Sequence, residues 1–165
     1  MQHVQTRSTT SALVLTAVLI ALATLFTMYT KIPVPGIRGY FNVGDVVIMT
    51  SALLLGRKYG AYIGAIGPAL ADLFLGYAVF VPITFVVKGI EGYLVGTVYN
   101  YKTNTSALAA TIVGGVIIVA GYFIAEYFIF DPGVAIAGIL TNTIQAVMSV
   151  IISMILYAIL RKRLG

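Results

Sequence analysis

Apolar runs follow one another from residue 12 to residue 160, and they are interrupted only briefly by charged or turn-forming residues. Runs of this length and apolarity are the pattern of helices that cross a membrane. With 60% of its 165 residues hydrophobic and 9% charged, the protein could not bury its apolar surface in water. Lipid is the expected solvent.

Spanning helices need about 20 mostly apolar residues, within a range near 17 to 25. Six segments approach this length, at residues 12–30, 43–56, 60–76, 82–100, 107–128 and 134–160. The pattern predicts an all-α membrane protein, with six transmembrane helices in one compact bundle and residues 1–165 forming a single integral membrane domain. The second segment is short for a straight crossing. Either Tyr40 and Phe41 extend it, or Arg57 and Lys58 snorkel to the headgroups while neighbouring helices cover the deficit. The first segment is longer than a signal-peptide core and lacks a small-x-small cleavage site, so it is expected to stay as a helix.

Positive charge sets the expected orientation. With cytoplasmic N- and C-termini, Arg7, Arg57, Lys58, Lys102, Arg161, Lys162 and Arg163 all lie inside, against Lys31 and Arg38 outside. Asp45 and Asp131 then fall at the outer surface. The inner connections, 57–59 and 101–105, read as simple turns. The first outer connection, 31–42, carries two prolines and two glycines. Such a segment cannot be helical, and it reads equally as a lid over an outward mouth or as an ordinary surface loop with interfacial aromatics.

Several classes of function are disfavoured at once. The basic residues punctuate apolar segments and do not line one face, so the net charge of +5 points to membrane orientation and not to nucleic acid. Without Cys, and with His3 alone in the N-terminal tail, neither a disulfide framework nor a Cys/His metal site is available. The same His leaves the Ser and Thr residues without the base that an intramembrane hydrolase needs. No phosphate-binding G-x-x-x-x-G-K-[ST] loop is present. No internal repeat stands out, which weighs against an independent secondary transporter. That alternative, proton-coupled and relayed by Glu91 and Glu126, is the main rival.

Two kinds of residue interrupt the apolar pattern informatively. Gly60, Gly64 and Gly67 share a face of the third segment, Gly92 and Gly96 share one of the fourth, and Ala17 and Ala21 form a small-residue stripe on the first. Small faces let helices approach closely in lipid. The second kind is polar: Asp72, Lys88, Glu91, Glu126, Asn142 and Gln145 lie inside segments built for hydrocarbon. Such groups are costly there and usually point at a cavity, at one another or at a cargo. Lys88 and Glu91 are three apart and so neighbours on one face, as are Asn142 and Gln145. At about 1.5 Å of rise per residue, Lys88 lies roughly 9 Å beyond Pro82 and Asn142 roughly 12 Å beyond Val134, so the two pairs can meet at similar depth. Mutual neutralisation of Lys88 and Glu91, interhelical bonding by Asn142 and Gln145, and loop capping by Asp72 are the plainer readings of the same residues. The convergence of the whole set in the outer half favours a shared pocket.

These residues also carry a resemblance. The run Gly39-Tyr-Phe-Asn-Val-Gly-Asp-Val-Val-Ile48, with Leu55-Gly56, Gly60-Ala61, Gly64-Ala-Ile-Gly67, Ala71-Asp72-Leu, Gly76-Tyr77, Pro82, Thr84 and Lys88-Gly-Ile-Glu-Gly92, resembles the substrate-binding S components of energy-coupling factor (ECF) vitamin transporters. It looks most like the riboflavin, pyridoxine and hydroxymethylpyrimidine branch, over about residues 39–96. The resemblance implies a six-helix bundle with an outward pocket lined by the later helices and lidded by outer loops. It also implies that Ala17 and Ala21 dock a transmembrane coupling subunit, and that two ATPase subunits hydrolyse ATP. Since the chain has no Trp, Tyr40, Phe41, Tyr77 or Tyr93 would stack on the ligand.

The function expected is thus a binding subunit for a vitamin-like small molecule in the prokaryotic cell membrane, without enzymatic activity or cofactor. Lys88 and Glu91 would hydrogen-bond ring substituents, and Asn142 and Gln145 would read ring nitrogens. Asp72, Glu126, Tyr77, Tyr40 and Asn42 would complete the site. A cytoplasm-active reporter fused after Gly165 should be fully active; activity confined to an exported reporter would overturn the orientation.

Overall fold

The computed structural model describes residues 9–33, 40–100 and 103–164, with the backbone alone at residues 9, 33, 40, 41 and 164. Arg7, Arg38 and Lys102, and the part of the expected lid at residues 34–39, lie outside the described residues. Among them the elements run α1 (Thr9–Tyr29), β1 (Ile32–Pro33), β2 (Tyr40–Phe41), α2 (Gly44–Leu55), α3 (Arg57–Phe74), α4 (Phe80–Val98), α5 (Asn104–Ile129) and α6 (Pro132–Leu164). The strands pair antiparallel, Ile32 opposite Phe41 and Pro33 opposite Tyr40. They cover one end of the bundle, termed here the strand end.

Local chemistry sets the helix ends. Pro132 opens α6 where its missing N–H costs nothing, and the Asp131 carboxylate accepts from the Val134 N–H at 3.0 Å. Thr103 caps α5 by accepting from the Ser106 N–H at 3.1 Å. The expected basic turn at 57–59 is instead the first turn of α3. Gly56 alone reverses the chain there, at φ 89°, a conformation that favours glycine.

α1, α4, α5 and α6 are long and apolar enough to cross a membrane. Their exposed side chains, among them Leu13, Ile112, Val116, Ile136 and Leu140, form the surface expected against lipid. The shortness of α2, 12 residues, has a structural answer: its residues from Gly44 to Leu53 are buried. Protein surrounds it, with α1, α3, α4 and α6 all packed on it. Among the described residues α1 packs on α2 and α3, which leaves much of its surface outward.

Glycines let α3 and α4 approach closely. Gly60 of α3 and Gly92 of α4 face each other, and a Cβ on either would collide with the other's backbone carbonyl. Gly64 likewise meets the Lys88 carbonyl, while Gly67 approaches Ala23 of α1. Thr24 of α1 donates to the Gly67 carbonyl at 2.9 Å across that contact. At the end opposite the strands, Met49, Leu53, Val95, Tyr99, Ala107, Ile118 and Tyr157 form an apolar core, in which the Tyr99 and Tyr157 hydroxyls bond to each other.

Because backbone cannot yield as a flexible side chain can, Gly92→Leu should lower stability by at least ~3 kcal/mol, the upper range for overpacking. Thermal unfolding in detergent measures this; an unchanged melting temperature would show that α3 and α4 are not held at this distance.

Candidate functional site

Lys88 is buried, 2% exposed, and α4 directs its ammonium at α2. There it donates to an Asp45 carboxylate oxygen. The other Asp45 oxygen accepts from Gln145 Nε2 of α6 at 2.8 Å. Gln145 Oε1 in turn accepts from the Asn42 backbone N–H at 3.0 Å. One continuous network thus joins α4, α2 and α6 to the segment leaving β2. Asn42 anchors the same corner, its Oδ1 accepting from the Gly44 N–H at 2.8 Å, and the Val43 N–H donates to Thr30 Oγ1 of the α1 exit at 3.0 Å.

Asp45 therefore does not sit at the outer surface, as its position near a segment end suggested. It is 0% exposed and is the principal partner of Lys88. Glu91, expected to neutralise Lys88, lies at ion-pair distance, 3.8 Å, and among the described residues neither of its oxygens has a hydrogen bond. Asp45 takes the ammonium because it approaches across the helix interface, whereas Glu91 reaches along the same helix from behind.

A hollow opens beside this network at the strand end, with a volume of about 40 Å³. α3 supplies Pro68 and Asp72, α4 supplies Phe80, Thr84 and Lys88, and α5 supplies Tyr122 and Glu126. α6 contributes Gly138, Thr141, Asn142 and Gln145, while Thr27 and Asn42 close the remaining side. The spacing explains the selection: Phe80, Thr84 and Lys88 recur every four residues, as do Tyr122 and Glu126, so each set occupies one helix face. Thr84 and Tyr122 bond through their hydroxyls at 2.9 Å. The Lys88 ammonium stands 5.4 Å from the Tyr122 ring centroid.

Of the residues singled out from sequence, Lys88, Asn142, Gln145, Asp72, Glu126 and Asn42 border this single hollow. Glu91 does not; it is fully buried behind Lys88. Tyr77 also stands outside, packed edge-on to Phe80 at 6.3 Å between centroids and under the Lys31 ammonium at 4.9 Å. Tyr93 is exposed and lies beside Arg57. The side chains of Tyr40 and Phe41 lie outside the described residues. Sequence reasoning missed Asp45, Thr27, Phe80, Thr84, Tyr122 and Thr141. The four-residue spacing to Lys88 and Glu126 would have found Phe80, Thr84 and Tyr122; nothing local distinguishes Asp45.

A family model described as the S component of an ECF-type riboflavin transporter matches residues 7–162. A protein of Pyrococcus woesei from the gap 3′ region is 41% identical over 143 residues, covering 86% of this chain and 96% of that protein. The thiamine precursor transporter HmpT of Lactococcus lactis subsp. cremoris (strain MG1363) is 30% identical over 148 residues, 89% of this chain and 83% of its own. In fold, the S component of a bacterial ECF transporter superposes with a TM-score of 0.73 at 18% identity, covering 94% of this chain and 98% of that one. The S component for biotin from an ECF-type ABC transporter gives 0.65 at 20% identity, with 94% of both chains covered.

Removing one member of a buried ion pair typically costs about 3–5 kcal/mol. Asp45→Leu and Lys88→Met should each destabilise strongly, and the double variant by less than their sum, with a coupling of at least about 1 kcal/mol. Strict additivity in a detergent unfolding assay would remove the pair from its central role.

Proposed function

Because the chain belongs to the ECF-type riboflavin transporter S-component family, and is therefore a multi-pass transport protein of the cell membrane and not an enzyme, we propose that it captures a vitamin or vitamin precursor in the hollow at the strand end. The observation carrying this reading is the convergence of Asn42, Asp72, Lys88, Glu126, Asn142 and Gln145, from four helices and one connection, on a single space. Polar groups in a lipid-surrounded bundle are expensive unless they meet a partner or a cargo. Here they meet around an opening, with an apolar core closing the opposite end.

The roles follow from what each group already holds. Asn142 and Gln145 read heteroatoms of the ring. Lys88, fixed by Asp45, presents its charge at a set position, and Glu91 supports it from behind. Phe80 and Tyr122 are the aromatic walls. At about 40 Å³ the hollow admits water but falls far below the roughly 300–1,000 Å³ of most ligand pockets. Cargo entry therefore separates the walls, and Asn42, bonded to Gln145, is placed to transmit that movement to the strand pair.

The strand end faces outward in this proposal, as the distribution of Lys and Arg requires. Ala17 and Ala21 lie on the exposed side of α1, available to a transmembrane coupling subunit whose two ATPase partners power delivery. The chain would act as one membrane unit within that assembly.

In purified protein, Asn142→Ala should weaken the affinity for the copurifying ligand, identified by mass spectrometry, at least tenfold, or about 1.4 kcal/mol. Melting behaviour should be retained. Unchanged affinity in both Asn142→Ala and Gln145→Ala would reject this hollow as the binding site.

A further inference from the structure

We propose that the end of the bundle opposite the strands carries a binding site for an anionic phospholipid, with its phosphate at Arg57 and Lys58 and an acyl chain along the outer face of α4. A second cleft opens there, between the start of α3 and the end of α4, with a volume of about 390 Å³ against about 40 Å³ for the hollow at the strand end. Arg57, Lys58 and Tyr59 line one side of it, and Gly96, Thr97 and Tyr99 the other. The position of the cations is built. Gly56 turns the chain into α3 at φ 89°, and a Cβ on Gly96 would collide with the Arg57 backbone, so the end of α4 seats the first turn of α3. The Arg57 guanidinium stands 5.8 Å from the Tyr93 ring centroid, and both cationic side chains stay exposed.

Two observations select a lipid. The first is charge. The sequence has five carboxylate side chains, and none of them borders this cleft. Asp45 and Glu91 face Lys88, Asp72 and Glu126 border the hollow at the other end, and Asp131 caps α6. The countercharge for Arg57 and Lys58 therefore comes from outside the chain. The second is the surface that continues from the cleft. Val86, Ile90, Tyr93 and Thr97 recur at three- and four-residue spacing and share one face of α4. Thr97 lines the cleft, Tyr93 packs by Arg57, and Ile90 and Val86 are exposed and apolar. From Thr97 to Val86 the helix rises about 16 Å, which matches the ~15 Å depth of one leaflet's hydrocarbon, half of a ~30 Å bilayer core. A soluble anion or an acidic protein loop would meet the cations alone. Assignment to the cytoplasmic leaflet rests on the orientation proposed above; the site itself requires only that this end of the bundle reach a membrane surface.

The test is native mass spectrometry of the purified full chain in detergent, titrated with phosphatidylglycerol and with phosphatidylcholine of the same acyl chains. One basic residue at an anionic membrane surface is typically a factor of about five, so the pair should make phosphatidylglycerol bind at least tenfold more tightly. Arg57→Gln with Lys58→Gln should cut that preference to threefold or less, whereas Lys162→Gln with Arg163→Gln, which removes the same charge from the end of α6, should leave it intact. Should the first double variant fail to fold, Lys58→Gln alone must lower the preference at least threefold. Equal loss in both double variants shows diffuse attraction and overturns the site. Equal binding of the two lipids by folded protein also overturns it and leaves the cations to a protein partner, and displacement of phosphatidylglycerol by equimolar inorganic phosphate overturns the lipid in favour of a free anion. A reporter after Gly165 that is active only when exported would move the site to the other leaflet without altering this comparison.

Discussion

An ammonium buried in a bundle that sits in lipid must be met by negative charge at the correct distance, and the contact between Lys88 and Asp45 is where this protein meets that demand. The two residues are 43 positions apart and come from different helices. Each charge alone would be prohibitively placed, so the pair fixes the position of α2 against α4. Gln145 extends the same constraint to α6, since its amide must satisfy Asp45 and the Asn42 backbone together. A buried pair of this kind adds little net stability over an apolar substitute. What it does is specify one arrangement of helices and hold functional groups at the margin of a hollow.

Small residues make that arrangement possible. The near-contact of Gly60 with Gly92, and of Gly64 with the Lys88 carbonyl, holds α3 and α4 backbone against backbone. Without a hydrophobic drive between helices in lipid, such close packing carries much of the association. The consequence is functional. Asp72 near the end of α3 and Phe80, Thr84 and Lys88 in the first half of α4 border one hollow because the two helices cannot drift apart.

The helical architecture was legible in the chain, and the reasons are local. Spanning segments announce themselves by length and apolarity, and the observed boundaries of α1 and α4 differ from the expected ones by at most three residues. Some of the other differences have identifiable causes. α3 starts at Arg57 because Gly56 makes the whole turn, and α6 starts at Pro132 and runs on to Leu164. The polar residues that face the hollow were likewise visible as violations of an apolar pattern. Asp45 was not, because near a segment end an aspartate destined for solvent and one destined for a buried lysine look the same.

What the sequence by itself determined is the solvent, the helical class and the set of residues that had to find polar surroundings, since each follows from the cost of a charge or an unsatisfied backbone in hydrocarbon. Which of them became partners was decided only by tertiary structure. Asp45 in place of Glu91 on Lys88, the exclusion of Tyr77 from the hollow, and the seating of Glu126 over Gly138 all depend on distances between helices far apart in the chain. Periodicity reports the face on which a side chain lies, but not the helix that arrives opposite it.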